Sequence, residues 1–301
     1  MDKTVRCKTR NGFALIITLS VLSVMIALAG VLLSYLDEVR EDAVQTKAMI
    51  QANLYYVDMQ NAFKKLGKNK KSIMELLYSY PIPLNSPEGE FSVTVKCRPL
   101  ANGININWLG LENNQTMEVF HTAARQVFDS IAQAYSIEDA GRLQELLLEE
   151  IGGAKKWVQK EQHRLVQKNG IISREQFERI ITQYQFEADD AKVNDIPWEK
   201  FFVFDTGIEQ MDGNYLSAEL ISLLFDFDIA LVEEGWIVGE TALQSFVESS
   251  GGEYAKYEKL FSKGFVDESE CEVRFPYGNK KFGFTFMQSR GEIKYFEFDS
   301  K

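Results

Sequence analysis

No charged residue occurs between Arg10 and Asp37, and Phe13 to Leu36 is dominated by Ala, Leu, Ile, Val and Met. As a helix rising roughly 1.5 Å per residue, this run reaches beyond the roughly 30 Å of bilayer hydrocarbon. A core helix in a soluble protein rarely exceeds ~18 uncharged residues, so the run predicts a membrane span. It is also too long for a cleaved secretory signal: the nearest small-x-small site, Ala27-Leu28-Ala29, lies inside it. Lys3, Arg6, Lys8 and Arg10 against Asp2 give the first twelve residues a charge of +3, whereas Asp37, Glu38, Glu41 and Asp42 follow the run. By the positive-inside rule this places the N-terminus in the cytoplasm and the body on the exported side of a single-pass protein.

The 301 residues are 45% hydrophobic, enough to bury a real core in the body. A net charge of −11 argues against a general nucleic-acid-binding surface, which needs clustered Lys and Arg to neutralise phosphates. If the basic N-terminal segment carrying Cys7 is removed, only Cys97 and Cys271 remain, and one intramolecular pairing is open to them. The alternative is two separate buried thiols.

No proline occurs before Tyr80, and the apolar run passes into an amphipathic stretch in which Ala43, Met49, Ile50, Leu54, Val57 and Phe63 recur at helical spacing. One helix over 13–66, ending at Gly67, is expected, its second half packing on the body. A short helix over Ser72 to Tyr80 is stopped by Pro81 and Pro83. Glu90 to Cys97 then alternates as a half-buried strand, and Ile104 to Asn107 is a second extended candidate. From Thr116 to about Lys263 the pattern is helical, with capping signals at Ser136 and Ser173. Glu270 to Phe275, Lys281 to Met287 and Glu292 to Phe298 form a predicted three-stranded meander. Phe282, Phe284 and Phe286 share one face of it, which the first helix is expected to cover. The expected architecture is α+β: a long helix on an antiparallel sheet (67–109 and 266–301), interrupted by a large all-helical insertion over 110–265.

Arg10-Asn11-Gly12-Phe13-Ala14-Leu15-Ile16-Ile17 resembles the processing site of type IV pilin-like proteins, a basic leader ending in Gly before Phe and an apolar helix. The resemblance implies a leader over 1–12, cleavage between Gly12 and Phe13 by prepilin peptidase, and methylation of the new N-terminus. In ordinary pilins the fifth mature residue is Glu, expected to neutralise a neighbouring subunit's terminal amine in the apolar filament core. Here that position is Ile17. Its loss is similar to minor pseudopilin K of type II secretion, a family thought to cap the filament tip. Two further segments resemble that family: Ala101 to Leu109, with its Gly103-Ile104-Asn105-Ile106-Asn107 pattern, and Met211 to Ile221, the latter with Ser217 as N-cap and Leu220, Leu223 and Leu224 inward.

The resemblance implies a pilin-like fold with an inserted helical domain. It also implies an inner-membrane anchor, a periplasmic body, and other minor pseudopilins and the inner-membrane assembly platform as partners. Some relatives bind calcium in the insertion; Glu187, Asp189, Asp190 and Asp195 are the densest oxygen-ligand cluster here, but their spacing matches no calcium loop and a solvated acidic loop is the simpler reading. A role in a pilus or DNA-uptake machine, and a signal-anchored periplasmic enzyme or sensor, are the alternatives. Against the enzyme, His121 and His163 lie in no zinc or nucleophile motif, and no phosphate-binding glycine loop or serine elbow occurs. Asn114-Gln115-Thr116, with Glu112 before it, matches a glycosylation sequon such as chance also produces.

Overall fold

The computed structural model describes residues 10–85, 92–152, 170–204 and 207–299. Its first element, α1 (Arg10–Lys65), is one unbroken helix of 56 residues, about 84 Å long by its rise per residue. Among the described residues it is the one helix long and apolar enough to cross a bilayer, with a mean hydropathy of 2.7 in its most apolar stretch. The expected start was Phe13. The helix begins at Arg10 and runs through the Gly12-Phe13 peptide.

Beyond Gly67, which takes a left-handed φ of 51°, come α2 (Lys70–Ser79), β1 (Ile82–Asn85) and β2 (Ser92–Pro99). The sequence pattern missed β1 because Pro81 and Pro83 look like breakers. Pro83 is tolerated because β1 is an edge strand, where one missing N–H costs no ladder bond. The chain then leaves through β3 (Ile104–Asn105), α3 (Glu118–Ala134), α4 (Ala140–Gly152), α5 (Arg174–Ala188), β4 (Phe202–Val203), α6 (Ala218–Phe225), α7 (Ile229–Gly235) and α8 (Leu243–Ser249). It returns as β5 (Glu268–Tyr277), β6 (Lys280–Ser289) and β7 (Glu292–Asp299). The five long-range strands form one antiparallel sheet in the order β1-β2-β5-β6-β7, so the excursion leaves from β2 and re-enters on its direct neighbour β5.

Two large hydrophobic clusters result. One joins α1, α2 and the sheet; the other fills the helical excursion, built from residues between Ile104 and Phe261. The expected all-helical filling is broken at β4, which pairs in parallel with β3 as a separate two-stranded sheet. The extended Ile104–Asn107 candidate holds only over its first two residues, because Asn105 turns the chain into a 3-10 helix, its side chain accepting from the Asn107 N–H.

The asparagine pattern earns its place in this second core. Asn105 is buried and donates to the Ile208 carbonyl at 2.9 Å. Asn107 brackets Ile171, accepting from its N–H at 2.7 Å and donating to its carbonyl at 2.9 Å. Gly103 is required by space: a Cβ there would sit 2.9 Å from the Phe201 carbonyl oxygen. Ser217 caps α6 by accepting from the Leu220 N–H, with Leu220 and Leu224 buried and Leu223 half-buried.

Candidate assembly interface

Side-chain size decides how α1 meets the sheet. Phe282, Phe284 and Phe286 alternate inward on β6 and are all buried, each worth roughly 1.5–3 kcal/mol over an exposed ring. On the helix side of the same hydrophobic cluster Ala48 and Ala52 are fully buried, followed by Tyr55, Met59 and Phe63. Tyr56 stands edge-on to Phe284 and Phe286, with ring centroids 6.4 and 6.2 Å away, and its hydroxyl donates to the Ile293 carbonyl at 3.3 Å. At the end nearest the apolar run Lys280, the first residue of β6, pairs with Glu41.

This packing corrects the expected helix face. Of the six apolar residues whose spacing marked the amphipathic stretch, Phe63 alone faces the sheet. Ala43, Met49, Ile50, Leu54 and Val57 are exposed. The outer half of α1 therefore has two apolar faces: an inner one of small and aromatic residues, and an outer stripe of larger aliphatic ones. Periodicity alone could not separate them, since both satisfy helical spacing. Ile50 and Leu54 are 58% and 57% exposed, an apolar surface left uncovered in the isolated chain. The stripe points back along the helix toward Leu15 to Leu36, whose large apolar side chains are all exposed, Ile17 among them.

The other singled-out residues fall in separate places. Gly12 and Phe13 lie in the first turn of α1, while residues 1–9 of the expected leader and His163 are outside the described residues. Cys97 and Cys271 are register partners on β2 and β5, joined as a buried disulfide in the core beneath α1.

The four acidic residues are not brought together as a ligand set. Glu187 pairs with Arg142 at 2.7 Å on α4. Asp189 is exposed and closes α5 in a left-handed conformation, with φ 53°. Asp195 is exposed at the end of the following 3-10 helix. Asp190 is buried and already satisfied: its carboxylate accepts from the Glu138 and Lys192 N–H groups at 3.0 and 3.1 Å and from the Tyr184 hydroxyl at 3.2 Å. Burial pushes its carboxyl up, but those bonds and the Lys192 charge outweigh burial and hold it below the usual aspartate range. These residues do not fit a calcium site, and among the described residues no group of three His, Cys, Asp or Glu converges to hold a metal.

No protein-family model and no curated protein sequence matches the chain. Among solved structures, it is similar to a chain of the GspK-GspI-GspJ complex from the enterotoxigenic Escherichia coli Type 2 Secretion System. The identity is 14% and the TM-score 0.50, over 85% of this chain and 99% of that one. The fold is pseudopilin-like. At that identity the similarity carries the arrangement of long helix, five-stranded sheet and further helices.

Proposed function

We propose that the protein is a minor pseudopilin at the tip of a type II secretion filament, acting by assembly and not by catalysis. The observation that carries this reading is the second apolar face of α1: Ile50, Leu54 and Val57 continue the exposed apolar surface of the span outside the bilayer, on a pseudopilin-like fold. A helix bundle formed by like subunits would cover both regions at once, replacing lipid around the span by close packing. The similar chain comes from a complex named for three secretion-system proteins, which favours other minor pseudopilins as partners.

In this reading the N-terminus is cytoplasmic and the body periplasmic, anchored in the inner membrane until the assembly platform extracts the helix. Ile17 places no carboxylate at the position where ordinary pilins neutralise a neighbour's amine, which suits a tip subunit that needs no partner above it in the filament. The bulk of the helical excursion would block further stacking.

The deciding experiment is the intact mass of the protein from cells with and without prepilin peptidase, alongside Gly12→Ala. Peptidase-dependent loss of Met1 to Gly12, abolished by the substitution, is the expected result. An uncut chain in peptidase-positive cells would leave a simple membrane anchor and sink the pseudopilin reading.

A further inference from the structure

The charge of this chain is concentrated in one stretch. Between Lys200 and Lys256 there are eleven Asp and Glu and no Lys, Arg or His. The other 33 acidic residues are matched by all 33 Lys and Arg, so residues 201–255 carry the whole net charge of −11.

Within that stretch one short region combines charge with uncovered apolar surface. Asp226, Asp228, Glu233, Glu234 and Glu240 are all exposed, and no basic side chain of the described residues pairs with any of them. Asp228 spends one oxygen on the Ala230 N–H as the cap of α7, and its charge remains. Among these carboxylates, α7 and the turn after it expose Ile229, Leu231, Ile237 and Val238, the last two by 56% and 53%.

The region is held firmly from below. Val232 and Trp236 anchor α7 in the core, and the Trp236 indole donates to the Leu216 carbonyl at 2.9 Å. The turn is tied by the Gly239 N–H to the Asn214 carbonyl at 2.7 Å, and by the Ile237 N–H to the Thr241 hydroxyl at 3.1 Å. A pre-ordered surface forfeits less entropy on binding. Solubility alone explains exposed carboxylates, but not four large aliphatic side chains held among carboxylates that no described basic side chain pairs.

We propose that residues 226–240 are a docking surface for a basic protein partner, which sets an aliphatic or aromatic anchor against Leu231, Ile237 and Val238 and pairs Lys or Arg with the surrounding carboxylates. Uncompensated negative charge selects such a partner and repels acidic ones, while the apolar centre supplies the contact that survives desolvation. The surface lies on the helical excursion, apart from the α1 stripe, so the proposal does not depend on the filament reading.

The test is site-specific photo-crosslinking of the full-length protein in its own cells, with benzoylphenylalanine in place of Val238 and, in a separate strain, of Ile50. From Val238 we expect a protein adduct whose crosslinked peptide carries an excess of Lys and Arg. Its yield should fall about fivefold or more in the Glu233→Lys, Glu234→Lys variant, and again when membranes are crosslinked at about 0.5 M salt, where exposed charges are screened within a few ångströms. No protein adduct at Val238 would overturn the proposal, as would one that maps to an acidic segment or survives both charge reversal and salt. Adducts at Ile50 with none at Val238 would remove the docking surface and leave the filament reading standing. The converse would remove helix packing and keep the docking surface.

Discussion

At the scale of single residues, Asp190, one of the acidic groups singled out for function, turns out to help hold the second core together. Asp190 satisfies two backbone N–H groups and the Tyr184 hydroxyl from inside the fold, so removing its carboxylate strands three donors. Asp190→Ala is expected to cost about 1–3 kcal/mol at pH 7 in a denaturant titration. Because the folded protein holds this carboxyl below its ordinary value of 3.8, the stabilisation is present above that value and is lost as pH falls through the folded pKa. The gap between parent and variant should therefore narrow in acid; a gap that widens there would contradict the assigned bonds. Asp212 carries the opposite sign. Burial raises its carboxyl although the Val266 and Asn214 N–H groups bond it, so its contribution is largest in acid and declines as pH rises.

Among the elements, α1 shows how much a pattern leaves open. Its length, its uncharged run and its continuation past that run were legible because each is a property of consecutive residues. Which face meets the sheet was not, because that depends on strands more than 200 residues away, against which Ala48 and Ala52 are buried while Ile50 and Leu54 stay exposed. The meander was legible from its alternation and its Gly-containing turns, whereas β1 was hidden by prolines that only an edge position admits. The two-faced helix makes a clean separation possible. Ile50→Asp with Leu54→Asp alters exposed positions alone, so thermal unfolding of the isolated body should move by no more than about 0.5 kcal/mol. If the proposed filament role holds, co-purification with partner pseudopilins from detergent extracts should be lost. Retained co-purification would show that the stripe is not an assembly face, and marked destabilisation would show that it packs within this chain.

For the whole molecule, the decisive feature is that the helical excursion begins and ends on neighbouring strands. Pro99 and Ser269 are register partners, so the sheet reaches both ends of the excursion without needing anything inside it. The cysteines were visible as a candidate pair, but their register depends on β2 meeting β5 across an insertion whose return point no local pattern specifies. Once bonded, Cys97 and Cys271 close a loop over a sequence separation of 174, and chain entropy assigns such a closure about 5 kcal/mol. Replacing residues 100–267 by a short hairpin turn should therefore leave a folded helix-on-sheet body whose disulfide now closes a loop of about ten residues, worth about 3 kcal/mol on the same argument. Comparing guanidinium titrations with and without reductant, in the body from Asp37 onward and in its shortened form, checks both halves of the idea. The reduction penalty should be about 2 kcal/mol smaller in the shortened protein. Equal penalties would mean that the bond acts through local packing, and a shortened protein without cooperative unfolding would mean that the sheet core depends on the excursion after all.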